Sequence, residues 1–396
     1  MSQVSAGVGR HPEPEPLRPS TPAARLTVEL KRDLDLRPED AASFAALLES
    51  RPSLAVFLSN AWLSGFFAEP PAGFDPSLAV FREGGTLRGV APIAVRHTLT
   101  HVRVALLGGG AGSDRTDLVG ARGFEAACAD SFLSWLGETF GKGFVLELRD
   151  VPGDSPLWGG VHRASAERSV RLTLQPREVH PLPFLDLADP SASGVGPAPA
   201  PLHAPSLGKH RRWLERRGRL RIELLEDPGE VMEAFASLVG FLHARWADRE
   251  GGSVLDDPRA LRFHRHALPL LLDEGRLRMI RLAVDMRTVA VFYGVASGGW
   301  WGYYLAGYDR EWAGRIHLGQ VTLAAAIDLA WKEGAAEFDF LKGAERVKYL
   351  WPVRERATLD ADVHSPQSGA QLRRAAWATR EAAAAVGKAA LGLFSK

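Results

Sequence analysis

A single cysteine in 396 residues leaves no partner for an intrachain disulfide, and nothing around Cys128 has the spacing of metal ligands. The fold must therefore be held by packing, with Cys128 a small buried hydrophobe on a helix. No metal site is expected. Long apolar runs are also missing. Residues 1–25 alternate proline with glutamate and have no continuous apolar core, so the expectation is a disordered tail, a fold that starts near residue 26 and a cytoplasmic location. Charge of one sign is scarce: 48 basic against 47 acidic residues leave a net +1, which gives no global pull on nucleic acid or anionic membrane. There is no G-x-S-x-G elbow, and the triple glycine at 108–110 leads into Ala-Gly-Ser-Asp without the Lys-Ser/Thr of a phosphate loop. Those two absences argue against an α/β-hydrolase and a P-loop nucleotidase. What is present, 46% hydrophobic and 24% charged residues, is the composition of a globular protein long enough for two packed domains.

The chain begins with a charged strand at 26–36 and an alanine-rich helix to residue 48 that Asp35 or Asp40 could cap. Trp62 and Phe66 then share a helical face. A hairpin follows, 78–81 and 87–96 around Glu83-Gly84-Gly85. A strand at 102–107 runs into GGGAGSDRTD, a tight loop that presents Asp114 and Asp117 at a cleft. An amphipathic helix at 124–140 and a strand from Phe144 complete a strand–helix–strand unit. A Pro/Ala/Gly spacer at 190–205 separates this half from a basic helix, where Arg211, Arg212, Arg216, Arg217 and Arg219 surround Trp213 and Leu214. That helix fits a solvated connector or a patch for an anionic partner. Two further helices carry His243, His264 and His266. His264 and His266 are two residues apart, face different sides, and so do not suit one metal ion.

The most informative stretch is 300–351. Trp300, Trp301, Tyr303, Tyr304 and Leu305 read as a strand, a loop leads to a helix from Leu318, and Phe338, Phe340 and Leu341 alternate with Asp339 in a second strand. Such a unit is parallel and right-handed. It repeats the element order at 102–148, so the fold class is α+β: two tandem halves, each a mixed sheet flanked by helices. At the helix entrance, Arg315, Ile316, His317, Leu318, Gly319 and Gln320 offer unpaired amides and the positive end of a helix dipole, which suit a phosphate. A plain loop with a solvated arginine fits the same residues.

The element order and the run FDFLKGAERVKYLW resemble the C-terminal half of the GNAT-like acyltransferases of the cellulose-biosynthesis or BioF2-like type, relatives of the Fem peptidyltransferases. Phe338, Asp339, Phe340, Leu341, Lys342, Gly343, Glu345, Lys348 and Trp351 match the pattern; Val347 stands where the family has tyrosine, with Tyr349 as the nearest substitute. The resemblance implies tandem GNAT-like halves: a degenerate one at 26–189, the 190–205 linker, an acyl-CoA-binding one at 206–365, then a basic helix at 366–396 that packs on its own domain without stable membrane insertion. It also implies acetyl-CoA or another acyl-CoA as co-substrate, its pyrophosphate on residues 315–320. Arg245 and Trp246 would line the acceptor cleft with Asp114, Asp117, Tyr349 and Trp351.

Acyl transfer needs a base for the acceptor, donors for the oxyanion and a proton for the thiolate, but no covalent nucleophile. Asp339 is the candidate base, Tyr304 the candidate acid, and Lys348 a candidate for a coenzyme A phosphate or the carbonyl. The acceptor would be a small-molecule or sugar amine. Two alternatives stay open: a Fem-like transferase that uses aminoacyl-tRNA through Arg211–Arg219, and an inactive binding protein of the same fold.

Overall fold

The computed structural model describes residues 26–141, 143–166, 172–188, 205–247, 252–313 and 315–366. The proline-rich start, the linker at 190–204 and the tail helix from 367 lie outside them. In the first half, strand β1 (Thr27–Lys31) precedes helices α1 (Ala41–Ser50), α2 (Pro52–Ala55) and α3 (Asn60–Ala68). Strands β2 (Asp75–Glu83), β3 (Thr86–His97), β4 (Val102–Leu106) and β5 (Val119–Gly120) lead to α4 (Glu125–Phe140), β6 (Phe144–Pro152), α5 (Pro156–Ala166) and β7 (Thr173–Asp186). The second half runs α6 (Pro205–Glu215), β8 (Leu220–Leu224), α7 (Pro228–Trp246), α8 (Pro258–Asp273), β9 (Leu277–Val284), β10 (Arg287–Ser297) and β11 (Trp300–Tyr308). It ends with α9 (Arg310–Ala313), α10 (Leu318–Lys332), β12 (Glu337–Asp339) and β13 (Arg354–His364).

The strand–helix–strand unit expected twice is present twice. β4 pairs parallel with β6 across α4, and β11 pairs parallel with β12 across α10. The halves are joined by an exchange the sequence does not announce. The sheet order is β1-β2-β3-β4-β6-β13-β7-β12-β11-β10-β9-β8, so β13 from the end of the second half lies beside β6, and β7 from the first half lies beside β12. β13, the last strand of the described chain, therefore sits at the centre of the sheet. The linker divides the sequence but not the sheet.

Side-chain alternation gives the second half two apolar faces. One buries Met279, Val291, Tyr293, Val295 and Trp300 under α7, α8 and the first half's α3. The other buries Ile280, Leu282, Phe292, Trp301 and Phe338 under α6 and α10. The first-half helix is in intimate contact: a Cβ on Gly65 of α3 would come within 2.5 Å of the Phe263 ring of α8.

Some local expectations are revised. Asp40 is the residue before α1 but makes no side-chain cap; it is buried against Arg82, Oδ2 2.6 Å from Nη2. β7 is one strand of 14 residues despite Pro176, Pro181 and Pro183. Helix α5, with Gly159 and Gly160 inside it, has too little helical propensity to be read from sequence.

Candidate active site

The parallel pair at the centre of the second half separates almost as soon as it forms. β11 and β12 are in register only from Trp300/Glu337 to Gly302/Asp339, yet β11 continues to Tyr308. Past Asp339 the chain stays with β7: the N–H groups of Phe340 and Gly343 donate to the carbonyls of Pro183 and Pro181 at 2.9 and 3.1 Å. Leu341, at φ 57°, and Gly343, at φ 117°, turn the segment away from β11. A gap opens at the carboxyl ends of two parallel strands, the customary ligand position in such sheets. Helix α10 begins at the same end.

A cleft of about 540 Å³ fills this gap. Leu242, Arg245 and Trp246 line it from one face of the sheet, Phe292, Gly319 and Leu323 from the other, and Asp114 enters from the first half. The cleft is therefore lined from both faces of the sheet. Of the residues singled out in the sequence, Asp114, Arg245, Trp246, Tyr304, Gly319 and Lys348 are brought together here.

Tyr304 reaches the cleft through a bulge. Tyr293 pairs with Leu305 and Gly294 with Tyr303, which leaves Tyr304 as the extra residue of β11 and re-aims its side chain. Its hydroxyl donates to the Gly112 carbonyl of the first half at 2.8 Å. Burial, then the Asp114 charge and Tyr293, push its pKa well above the usual phenol value, so it remains protonated. Asp114 accepts the Lys342 backbone N–H at 3.3 Å. Burial pushes its carboxyl up to about 6; the Lys342 bond opposes that shift and the Asp150 charge adds to it.

Asp339 does not occupy the role expected of it. It is fully buried, ion-paired with Arg115 and absent from the cleft wall. Its Oδ1 accepts the Leu341 N–H at 2.7 Å and its Oδ2 the Trp300 indole N–H at 3.3 Å. The motif aspartate is thus a clamp on the kink that opens the gap. Lys348 is likewise committed: Nζ donates to the Lys342 carbonyl at 2.7 Å, approaches those of Gly343 and Leu341 at 3.4 and 3.5 Å, and pairs with Glu345 at 2.8 Å. It holds the 341–343 turn instead of offering a free donor. Lys348→Met is expected to cost about 2 kcal/mol of stability, read from the urea midpoint, because those carbonyls lose a charged donor.

Asp117 is buried behind the cleft, accepting from Leu118 N–H and the Ser155 hydroxyl at 2.8 and 2.7 Å, and burial raises its carboxyl to about 7. Within the helix entrance, Ile316 and Leu318 are core residues, Arg315 and His317 are exposed, and Gln320 is half-buried outside the cleft wall. Only Gly319 reaches the cleft, where a Cβ would stand 3.0 Å from the Tyr308 ring. The Arg245 guanidinium lies over that same ring, 5.4 Å from its centroid. Tyr349 bonds Glu355 at 2.6 Å, and Trp351 packs onto the α10 core; neither lines the cleft. Basic helix α6 packs beside α10, with the His210 and His317 rings 5.1 Å apart.

Two contributors, Gly112 and Arg115, have no place in the sequence reading, and His264 figures there only as an unsuitable metal ligand. His264 carried a signal, since it falls on the apolar stripe of α8 with Ala267, Leu268 and Leu271. Gly112 and Arg115 carried none, because their partners are 192 and 224 residues away. Asp150, His180 and Asp360 bring one ligand atom each within 4.8 Å of one another. Asp150, however, already accepts from Lys342 Nζ at 2.6 Å and from Gly110 N–H at 2.9 Å. Among the described residues no single helix is long and apolar enough to cross a membrane.

Residues 205–349 match the family model of an acetyltransferase (GNAT) domain. Among solved structures, the chain is similar to FemX, at 10% identity and a TM-score of 0.57 over 86% of this chain and 98% of that one. It is also similar to a conserved protein of unknown function from Bacteroides thetaiotaomicron VPI-5482, at 13% identity and a TM-score of 0.51 over 86% and 99% of the two chains. A tandem GNAT protein from the clavulanic acid biosynthesis pathway is 15% identical, with a TM-score of 0.44 over 86% and 98%. No curated protein matches in sequence.

Proposed function

We propose, from the match of residues 205–349 to an acetyltransferase (GNAT) domain, that this chain transfers an acyl group from acyl-CoA to an amine. The observation that carries this is the separation of β11 from β12 beside the start of α10, which opens a cleft lined from both faces of the sheet. Beyond Gly302, β11 has no ladder partner on its β12 side among the described residues, so its backbone N–H and C=O groups are available to an extended amide-bearing ligand. Gly319 brings the first turn of α10 to the cleft wall, with the Tyr308 ring packed against it. These features fit a pantetheine arm and its diphosphate entering from the α10 face.

A thioester supplies an activated carbonyl and a thiolate leaving group. The remaining chemistry falls to the chain. Asp114, half ionised near pH 6, takes a proton from the attacking amine, and Tyr304, protonated at all working pH values, gives one to the sulfur. Asp114 then returns its proton to Tyr304. A C–N and an S–H bond form while a C–S and an N–H bond break. On the opposite face Trp246 offers an aromatic surface for a sugar ring, so an amino sugar is a fitting acceptor.

Calorimetry with acetyl-CoA should show stoichiometric binding, and free thiol should appear when amino sugars or simple primary amines are added. Absence of binding together with absence of thiol release from a folded sample overturns this function. One observation favours a second donor: α6, exposed at Arg211 and Arg212 and followed by exposed Arg216, packs beside α10. Aminoacyl-tRNA in place of acyl-CoA would show as tRNA retention on filters that falls steeply with salt, and retention indifferent to salt removes that reading.

A further inference from the structure

Behind Tyr304 lies a histidine with no part in the chemistry above. His264 of α8 is 2% exposed, and its ring is enclosed by Phe263, Trp62 and Phe235 at centroid distances of 4.9, 6.0 and 6.1 Å. Its Nδ1 lies 3.3 Å from the Tyr293 hydroxyl and its Nε2 3.4 Å from the Tyr304 hydroxyl. Burial pushes the imidazole down to about 3, so it is neutral and carries one proton. Among the described residues no carboxylate or cation touches it; the titratable groups facing it are the two tyrosines, with Asp114 beyond Tyr304.

Donor counting decides where that proton sits. The Gly112 carbonyl can only accept, and at 2.8 Å from the Tyr304 oxygen it must receive the one phenolic hydrogen. Tyr304 is then an acceptor toward His264, whose proton must be on Nε2. Nδ1 is left as the acceptor for Tyr293, which has no other hydrogen-bond partner among the described residues. The bonds run in one direction: Tyr293 O–H to Nδ1, Nε2–H to Tyr304 Oη, Tyr304 O–H to Gly112. With the opposite tautomer, Nε2 would be a lone pair competing with Gly112 for the Tyr304 hydrogen.

We propose that His264 is a positioning residue for Tyr304: held as its Nε2–H tautomer by the Tyr304 oxygen, whose own hydrogen goes to Gly112, it donates to that oxygen and keeps the phenolic hydrogen directed out of the core. When Tyr304 gives its proton to the leaving sulfur, the phenolate that remains keeps a fixed donor at its back. The role of Tyr304 rests on the acyl-transfer reading. The tautomer does not.

The test uses the full-length protein labelled with ¹⁵N-histidine, and a long-range proton–nitrogen correlation assigned by the signal lost in His264→Gln. His264 should appear as neutral Nε2–H. The Nδ1–H form, or an imidazolium near neutral pH, overturns the proposal whether or not any activity is found. Tyr293→Phe removes one buried hydroxyl and leaves the Tyr304 acceptor in place; the Nε2–H pattern should persist, with only the Nδ1 signal moving. In acetyl-CoA turnover with an accepted amine, His264→Leu should lower kcat by about tenfold with KM for acetyl-CoA unchanged, and His264→Gln, which keeps an amide donor, should recover part of the loss. A folded His264→Leu variant with level kcat, or a glutamine variant no better than leucine, reduces His264 to packing and overturns its positioning role. Failure of wild-type thiol release defeats the acyl-transfer function instead and leaves the nitrogen spectrum to judge the hydrogen-bond assignment.

Discussion

Replacing Asp114 by asparagine is expected to lower kcat for acyl transfer by about 10²–10³-fold while acetyl-CoA affinity in calorimetry stays the same. Asparagine keeps the shape and can still accept the Lys342 N–H, so the loss isolates the proton acceptor from the scaffold. The pH profile supplies the sign. Burial raises this carboxyl to about 6, so the base form prevails above that pH and is lost below it. The wild-type kcat/KM should therefore fall as pH drops through about 6, and the limb should vanish from the residual activity of Asp114→Asn. A variant with full activity, or one that keeps the limb, would place the base elsewhere.

The second large effect concerns stability. Arg115→Met and Asp339→Leu are each expected to destabilise the fold by about 3–5 kcal/mol, because either leaves a charge in the interior with its partner removed. The Arg115 and Asp339 side chains are 3% and 0% exposed. Burial lowers the Arg115 pKa and the Asp339 charge works against that shift. Combining the two changes should recover part of the loss, as an apolar pair of similar size replaces the ionic one. Asp339→Asn gives the sharpest contrast with a base at this position. A base would lose kcat with the melting temperature intact; a clamp loses melting temperature first.

How much of this was legible in the sequence follows from contact range. The β11–α10–β12 unit was readable because strand propensity, helical period and the glycine stop all lie within about forty residues and agree. The motif around Asp339 was found for the same reason. Its role was misjudged because the carboxylate's fate depends on Arg115, which nothing in the local pattern marks as its partner. Asp114 and Asp117 read alike, two aspartates in one loop. Three residues of backbone direction send one into the cleft and the other behind it. Lys348 looked like a free cation because the carbonyls it binds are exposed by the left-handed turn at Leu341, a conformation that leucine does not advertise. The strand exchange was beyond reach, since alternation shows that a segment is a strand and says nothing of which strand lies beside it.

That exchange changes what the protein can do in pieces. A fragment ending within the 190–204 linker would carry β7 with no β12 to receive it and would lack β13 beside β6. Produced apart, the two fragments should be insoluble or clamp onto one another. Mixed, they should reassemble into a nicked but working whole. Evolution at the cleft is then tied to both parts at once, for neither can be lost, duplicated or traded as a module while the other goes on functioning.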